Sequence, residues 1–337
     1  RINKTASNPI PELGPIETTN PCGELPLYPY ESCNLGSINL SKMISDGKID
    51  YDKLKETVHN AIHFLDNVID MTKFPLKKIE EITKANRRVG LGIMGFADML
   101  IILGIPYNSP ETTKIAEKVM NFINTESKAA SVSLAKKRGS FPNFKKSIWK
   151  KSYKALRNVT TTAIAPTGTI SIIAGCSSGI EPLFAVSFIR SIMDNTELIE
   201  VNPLFEKIAR RKAFYNENLM RIVAKLGSIQ HLKEIPDEIK KLFVTAHDIS
   251  AEDHIKVQAA FQKNTDNAVS KTVNFTQDST EEDVEQAFLL AHKLGCKGIT
   301  VYRDRSKPEQ VLSVKIPKKS PRILTASTRF KECEDCY

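Results

Sequence analysis

Two cysteines near the start of the chain are the side chains best suited to redox chemistry. Cys22 lies in the sequence NPCGE, and Cys33 follows eleven positions later in SCN. In an extended segment, Asn20, Cys22 and Glu24 would be at i, i+2 and i+4 and would point to one face. An amide, a thiol and a carboxylate on one face can orient a hydroxyl, carry sulfur chemistry and accept a proton. The prolines between the two cysteines can turn the chain so that Cys33 faces the same space.

A structural role for the same two cysteines is the competing interpretation. Free cysteine is among the most frequently buried residues, so the spacing alone favours a structural disulfide or two buried thiols. A choice between these interpretations needs further motifs.

The composition limits the classes of protein that this chain can belong to. With 337 residues, 41% hydrophobic and 26% charged, it is long enough for one large domain or two ordinary ones. Six cysteines do not indicate a secreted disulfide scaffold, so we expect a reducing cytoplasm. No apolar run reaches the ~18 residues that cross a membrane. The first residue is Arg1, and the aperiodic start indicates a fragment, a processed product or a split subunit.

The net charge of +9 is diffuse along the chain. Dense basic runs are short, and no aromatic residues interleave them. This pattern suits an anionic small substrate or an acidic partner better than a nucleic acid.

Periodicity and capping residues outline the elements that must position the cysteines. Apolar spacing predicts a helix over 51–72, and a basic helix follows over 77–88. Ser109 and Pro110 open a long helix to about Arg138, and three or four helices occupy 198–262. A capping box at 279–282 opens a helix that stops at Gly295. Short strands are predicted at 89–95, 159–165, 271–275 and 297–302, and their alternation with helices indicates an α/β fold with a largely parallel sheet.

A loop rich in hydroxyls follows the predicted strand at 159–165. Thr167, Gly168, Thr169 and Ser171 combine side-chain hydroxyls with a permissive glycine and free backbone N–H groups, which an anion site needs. An ordinary strand-to-helix turn is the alternative. A second run of small residues at 174–182 favours a loop that faces a ligand.

Two further patterns are weak when taken alone. Gly90, Gly92 and Gly95 fit the spacing of a dinucleotide fingerprint, but close packing of a strand is the better interpretation. His59 and His63 share one helix face without the other ligands that a metal needs, so we predict a solvated or half-buried face and no metal site.

A Cys-x-x-Cys pair, Cys333 and Cys336, lies almost at the end of the chain. On a mobile tail such a pair can act as a thiol–disulfide shuttle. The two acidic residues between the thiols would raise the pKa of each and so oppose thiolate formation.

Seven segments taken together resemble the ribonucleotide reductases, in the order found in that family. The resemblance covers about residues 7–315, and the combination is far more specific than any single piece. The segments are NPCGE (20–24), SCNLGSINL (32–40), RVGLGIMGFAD (88–98), APTGTIS (165–171), SGIEP (178–182), DNAVSKTVN (266–274) and GCKGITVYRD (295–304).

The variant of the family can also be argued from the residues. Iron-dependent large subunits carry a tandem tyrosine pair where this chain has the single Tyr302, and the C-terminal segment of the glycyl-radical type is absent. The PTGTIS loop is typical of the adenosylcobalamin-dependent type. The chain therefore resembles the C-terminal half of an adenosylcobalamin-dependent ribonucleoside-diphosphate reductase, which makes deoxyribonucleotides for DNA replication.

The resemblance implies a role for each residue that matches. Cys22 would become the thiyl radical that takes the ribose 3′ hydrogen, and Glu24 would accept the proton of the 3′-hydroxyl. Asn20 would orient the substrate hydroxyls. Cys33 would be one of two reducing thiols, and its partner comes from the N-terminal half of the family's chain, which is missing here.

The resemblance also implies a phosphate site, an outer reductant and several partners. Cys333 and Cys336 would re-reduce the active-site disulfide, with a thioredoxin-like protein as their own reductant. The complete protein would be a homodimer that contains the N-terminal half, as a separate chain or by splicing. The residues expected to hold the substrate phosphates are Pro166, Thr167, Gly168, Thr169, Ile170 and Ser171.

The implied fold is the C-terminal part of a ten-stranded α/β barrel over residues 1–312. A finger loop at about 18–40 would lie inside it, and 313–337 would be a flexible basic tail. Two alternatives remain for the function: an iron-dependent class I large subunit, and a non-catalytic assembly fragment. In every case we expect no activity without the N-terminal half.

Overall fold

A computed structural model describes residues 2–4, 7–191, 197–304, 306 and 322–324, with backbone only for 4, 188–191, 197–200 and 322–324. Its helices are α1 Tyr51–Met71, α2 Lys77–Asn86, α3 Phe96–Leu103, α4 Pro110–Arg138, α5 Gly168–Ala174, α6 Pro203–Arg211, α7 Glu217–Leu226, α8 Asp237–Leu242, α9 Ala251–Gln262 and α10 Glu281–Lys293. Its strands are β1 Thr18–Thr19, β2 Pro26–Leu27, β3 Asn34–Asn39, β4 Ile44–Ser45, β5 Lys48–Ile49, β6 Val89–Met94, β7 Ser187–Ser191, β8 Glu197–Val201, β9 Thr272–Phe275, β10 Thr300–Arg303 and β11 Arg322–Leu324.

Parallel segments follow one another in sequence order and form the wall of a partial barrel. Strand β3 pairs with β6 along six residues, and Leu91 of β6 bridges to Thr162 in the next segment. Ile164 of that segment bridges to Val269, whose chain continues into β9, and β9 pairs with β10. Every one of these pairings is parallel, and helices connect the segments. The predicted α/β barrel architecture is confirmed for the described part of the chain.

The long helices form where local sequence signals agree. In α1 the apolar side chains at helical spacing are buried, and Asp50 caps the helix by accepting from the Lys53 N–H. Ser109 caps α4 in the same way, and Gly139 ends it as predicted. α1 packs on both β3 and α4.

Other predicted elements differ in detail from the structure. The segment 159–165 makes only single bridges rather than a regular strand. The capping box of α10 joins Thr280 to Asp283, because Asp283 is the residue at the third helical position. Strand β8 occupies the start of the range that we predicted to be helical, where it pairs with β7 and with β11. Across the described ranges, every helix is too short or too polar to cross a bilayer.

Close packing explains the glycines of β6 and confirms that interpretation. A Cβ atom at Gly92 would lie 2.2 Å from the carbonyl oxygen of Ala163, and one at Gly90 would lie 2.8 Å from the Ala163 Cβ. The partner is a neighbouring strand-like segment, and a side chain at either glycine would push the two segments apart.

A buried carboxylate, Asp66, ties the first helices to the barrel wall. Its side chain accepts from Arg87 Nε at 2.8 Å, from Asn158 Nδ2 at 3.0 Å and from two arginines at 3.2 Å, Arg138 and Arg157. Burial raises the pKa of Asp66, but the hydrogen bonds and charges of Arg87 and Arg157 outweigh it and lower the pKa. The carboxylate is therefore ionised and paired in the folded protein.

Replacing Asp66 with asparagine is expected to lower the free energy of unfolding by about 3–5 kcal/mol, because Arg87 stays buried with reduced compensation. A carboxylate whose pKa is depressed on folding stabilises the protein above its unfolded pKa of about 4 and loses that contribution as the pH falls. The deficit of Asp66→Asn measured by urea unfolding should therefore shrink below about pH 4.

Asp70 is the matched control, because it also pairs with Arg87 but is 48% exposed. Asp70→Asn should cost less than about 1 kcal/mol. Equal losses for the two variants would contradict this account of the network.

Candidate active site

The segment around Cys22 is the tip of a hairpin between β1 and β2. The Gly23 N–H donates to the Asn20 carbonyl at 3.0 Å, and the Leu25 N–H donates to Asn20 Oδ1 at 3.0 Å. The expectation that Asn20, Cys22 and Glu24 share one face of an extended strand is therefore wrong. An asparagine that bonds to its own downstream backbone and a glycine with φ of +82° favour a turn instead.

The turn gives the three side chains different environments. Cys22 is exposed at the tip, Asn20 is partly exposed, and Glu24 is 2% exposed. The Glu24 carbonyl accepts from the Ala268 N–H at 2.7 Å, which anchors the hairpin to the barrel wall. Glu24 Oε2 is buried and has no hydrogen-bond partner within the described residues. A buried carboxylate oxygen without a donor costs stability, and such a group in a native fold indicates a functional role.

Cys33 lies directly before β3, at the edge of the barrel wall. Since Asn34 pairs with Val89 in the β3–β6 register, Cys33 lies next to Arg88. A Cβ atom at Gly90 would be 3.5 Å from the Cys33 sulfur, so the absent side chain leaves room for the thiol. The thiol donates to the Asn34 carbonyl at 3.4 Å.

Within the described part of the chain, the thiols of Cys22, Cys33 and Cys176 are free. A structural disulfide between Cys22 and Cys33 is therefore wrong, and so is a pair of buried thiols, because Cys22 is exposed. The chemical role of the pair stays a prediction.

The charge of Glu24 acts on both thiols. Burial raises the pKa of Cys22, and the nearby Glu24 raises it further. Burial also raises the pKa of Cys33; Arg88 opposes that rise, while Glu31 and Glu24 add to it. Both sulfurs are therefore held in the S–H form at neutral pH, which suits transfer of hydrogen atoms better than attack by a thiolate.

In the hydroxyl-rich loop, two of the predicted phosphate-binding side chains are used to fold the loop itself. Thr167 Oγ1 accepts from the Gly179 N–H at 2.7 Å, and the hydroxyls of Ser171 and Ser178 are 2.9 Å apart. Thr169 is exposed, and it lies in the first turn of α5, where backbone N–H groups have no partner within the helix. The free donors of this loop thus gather near Thr169, at the exposed end of α5.

A buried cluster that the sequence analysis missed holds the second small-residue run in place. Lys271 Nζ donates to Glu181 Oε2 at 2.5 Å and to His254 Nδ1 at 2.8 Å. Glu181 Oε1 accepts from the Thr272 N–H at 2.7 Å. Glu181 and Lys271 lie in two of the segments that carried the family resemblance, which was the available signal, whereas nothing marked His254.

A second network that the sequence analysis missed surrounds Arg88, which is 1% exposed. Its Nε atom lies 3.0 Å from Glu31 Oε2, and its Nη1 donates to Asn267 Oδ1 at 2.8 Å. The Tyr28 ring lies 5.8 Å from the guanidinium carbon. These partners are far apart in sequence, so spacing gave no indication of them.

The two histidines of α1 contact side chains of α4 and form no metal site with other described residues. His59 contacts Glu126 at 2.8 Å and His63 contacts Arg138 at 3.0 Å, in agreement with a half-exposed helix face. No group of three metal-ligating side chains occurs in the described ranges. Cys333 and Cys336 lie outside the described residues, as does most of the predicted tail.

Comparisons with known proteins point to one family. The family model described as "Ribonucleotide reductase, barrel domain" matches residues 1–155 and 151–302. The vitamin B12-dependent ribonucleoside-diphosphate reductase of Thermoplasma acidophilum is 58% identical over 91% of the chain, and that of Mycobacterium tuberculosis is 46% identical over 96%. The chain spans only 40% and 45% of the lengths of these relatives. The class Id ribonucleotide reductase alpha subunit of Actinobacillus ureae has a TM-score of 0.76 at 26% identity and covers 90% of this chain and 57% of its own.

Proposed function

Because the chain belongs to the ribonucleotide reductase family, through its barrel domain, we propose that it is the C-terminal half of an adenosylcobalamin-dependent ribonucleoside-diphosphate reductase. The observation that carries this proposal is the buried, unpartnered oxygen of Glu24, whose charge acts on the thiols of Cys22 and Cys33. A hydroxyl of a ribose in this space would supply the missing donor.

Two relatives that are named vitamin B12-dependent reductases, 58% and 46% identical to this chain, support the choice of cofactor. Cys22 and Pro21 are exposed at the tip of the hairpin, so a group that approaches from outside can reach the sulfur. When bound, adenosylcobalamin supplies the one-electron chemistry that removes the hydrogen atom of the Cys22 thiol. The high pKa of Cys22 keeps that hydrogen on the sulfur beforehand.

The chain's own residues then act on the ribose. The Cys22 thiyl radical takes the 3′ hydrogen atom, and Glu24 accepts the proton of the 3′-hydroxyl. Asn20 orients the hydroxyls through its Nδ2 donor, because its Oδ1 already holds the turn. Burial of Glu24 excludes water from the carboxylate while the proton moves.

Reduction requires two electrons and two protons, which Cys33 supplies together with a second thiol. The 2′-hydroxyl leaves as water, the two sulfurs form a disulfide, and the 3′ carbon takes its hydrogen atom back from Cys22, whose sulfur returns to the thiyl state. We assign the second thiol to the N-terminal half, because neither of the other described cysteines lies near Cys33. Cys176 is next to Gly95 and Asn39, at the opposite end of β3 from Cys33, and Cys296 is buried among α9, β9 and α10.

The substrate phosphates bind at the loop formed by residues 166–171. Thr169 and the free N–H groups at the start of α5 provide the donors, while Thr167 and Ser171 fix the loop's shape. The Lys271–Glu181 pair supports this arrangement from the other side by holding residues 178–182 against β9.

The remaining partners follow from the chemistry. A thioredoxin-like dithiol reduces the active-site disulfide back to two thiols, through Cys333 and Cys336 as the intermediate pair. The free thiols of Cys22, Cys33 and Cys176 support a reducing compartment, the cytoplasm. The complete protein pairs this chain with an N-terminal half and forms a homodimer.

A reconstitution experiment tests the proposal. The chain is mixed with the N-terminal half of a close relative, a nucleoside diphosphate, a dithiol and adenosylcobalamin, and deoxynucleotide is measured. Product with cobalamin supports the proposal. Product that forms only with a diiron partner protein would instead identify an iron-dependent large subunit, and no product under any condition would favour an assembly fragment.

Thr169 offers a specific test of the phosphate loop. Thr169→Ala should raise the KM for the nucleoside diphosphate about three- to tenfold, the effect of one lost hydrogen bond, with little change in kcat. Thr169→Ser keeps the hydroxyl and should restore the KM. A fall in kcat without a change in KM, or no rescue by serine, would place the phosphates elsewhere.

A further inference from the structure

Arg88 is a buried cation next to a reactive sulfur, and no step described so far uses it. It is 1% exposed, and it immediately precedes β6 as Cys33 precedes β3, so the parallel register sets the two residues side by side. Gly90 has no side chain, and this leaves space for the Cys33 thiol against β6.

The guanidinium of Arg88 is held in place by two partners, but some of its hydrogen-bond donors have no acceptor in the described residues. Glu31 forms an ion pair with Nε at 3.0 Å and Asn267 accepts from Nη1 at 2.8 Å. Neither Nε nor Nη2 makes a hydrogen bond within the described part of the chain. Asn267 is itself fixed, since its amide donates to Thr162 and Thr160. A buried arginine with two nitrogen atoms that make no hydrogen bond is costly, and such a group in a native fold indicates a role in the chemistry.

We propose that Arg88 is a positioning residue for the reductive half of the reaction and stabilises the thiolate of Cys33 when that sulfur leaves a disulfide. This inference rests on the proposed function, in which Cys33 becomes oxidised at every turnover. It adds a residue for the step that restores the enzyme.

The step balances as an ordinary thiol–disulfide exchange. The thiolate of an external dithiol attacks the partner sulfur, a new sulfur–sulfur bond forms, the old bond breaks, and the bonding electron pair leaves on Cys33. The second thiol of the dithiol then attacks the mixed disulfide and releases the other cysteine. A sulfur that leaves as a thiolate leaves faster when its pKa is lower, so a neighbouring cation assists the first bond cleavage.

Other charged groups around Cys33 and Arg88 determine how strongly Arg88 stabilises the Cys33 thiolate. Glu31 and Glu24 face Cys33 and favour its protonated form, and burial does the same. Glu31 and Tyr28 face Arg88 itself. Lys128 and Lys297 are buried nearby, and the charge of Arg88 contributes to the lowering of the pKa of each. Among the described residues, Arg88 is thus the cation that lowers the pKa of Cys33, while the carboxylates of Glu31 and Glu24 raise it.

Arg88 and Glu31 form an ion pair, and replacing either one should shift the pKa of Cys33 in opposite directions. In Arg88→Gln the cation is lost and the pKa of Cys33 should rise, whereas in Glu31→Gln an anion is lost and the pKa should fall. The readout is the rate of Cys33 alkylation by iodoacetamide against pH, followed by mass spectrometry of the reduced full chain. At a pH below the pKa of the thiol, the thiolate fraction falls about tenfold when that pKa rises by one, and the alkylation rate falls with it.

We expect alkylation of Cys33 to slow about three- to tenfold in Arg88→Gln and to quicken in Glu31→Gln. Arg88→Lys should lie close to the unmodified chain, and alkylation of Cys22 should stay constant throughout. An unchanged Cys33 rate in Arg88→Gln, or changes of the same sign in both variants, would overturn the proposal. If circular dichroism shows Arg88→Gln to be unfolded, Glu31→Gln decides alone: a faster rate supports the proposal and any other rate overturns it.

The measurement involves no turnover, so it is separate from the test of the reductase activity. A chain that alkylates as expected but makes no deoxynucleotide would refute the proposed function and leave the charge pair intact. A chain that makes deoxynucleotide but shows no effect of Arg88 would refute only the present inference.

Discussion

Cys22→Ala should abolish deoxynucleotide formation by the reconstituted enzyme, with a loss of more than about 10³-fold in kcat. The reason is chemical: alanine has no S–H hydrogen to give up, and no other residue lies at the tip of the hairpin with a thiol. The exposed position of Cys22 means that the substitution removes no packing, so the folded state should be preserved. Product is measured by chromatography of the nucleotides after a fixed time.

Cys296→Ala is the matched control for the loss of a thiol. Cys296 is 6% exposed and packs among the apolar residues of α9, β9 and α10, away from the hairpin. Its replacement should leave kcat within about twofold and lower stability by about 1 kcal/mol. Product formation that survives Cys22→Ala would reject the thiyl mechanism for this chain.

Glu24→Gln is expected to lower kcat by about 10²–10⁴-fold, the usual contribution of a general base. Glutamine fills the same volume but cannot accept the proton of the 3′-hydroxyl. Glutamine is also neutral, so the variant no longer buries a carboxylate oxygen that has no hydrogen-bond donor. The free energy of unfolding should therefore be unchanged or higher. Because Glu24 raises the pKa of Cys22 and of Cys33, alkylation of both thiols should also quicken in this variant.

Glu17 provides the control on the same hairpin. It is an exposed glutamate directly before β1, so Glu17→Gln removes the same charge outside the site. Its kcat should match that of the unmodified enzyme. If Glu24→Gln loses less than about tenfold, or if the two variants lose equally, Glu24 is not the base.

The sequence was sufficient for the elements whose signals are local. The apolar stripe of α1 and the cap and stop residues of α4 act within a few turns of helix, so these helices begin and end where we predicted. The family motifs also gave the barrel, whose parallel segments follow in sequence order. The hairpin at Cys22 was missed because period-two spacing was given more weight than the turn-forming Asn20, Pro21 and Gly23.

The charged residues around the thiols could not be predicted from the sequence, because their contacts join positions far apart in the chain. Arg88 and Asn267 are 179 positions apart, and Lys271 reaches Glu181 across 90 positions. Contacts of this kind depend on how the barrel closes, and no spacing rule encodes them. The cysteines could therefore be identified from the sequence, whereas the charges that set their pKa values could not.

The central claim is that this chain uses Cys22 to take the 3′ hydrogen of a ribonucleoside diphosphate. Release of tritium into water from a 3′-tritiated nucleoside diphosphate reports that bond cleavage in the chain reconstituted with an N-terminal half, a dithiol and adenosylcobalamin. A small part of the label exchanges with water while it is on the Cys22 sulfur, and the rest returns to the 3′ carbon. We predict tritium release that accompanies product formation and disappears in Cys22→Ala, while Cys296→Ala retains it. Deoxynucleotide formed without cleavage at the 3′ position, or tritium release that persists in Cys22→Ala, would contradict the account.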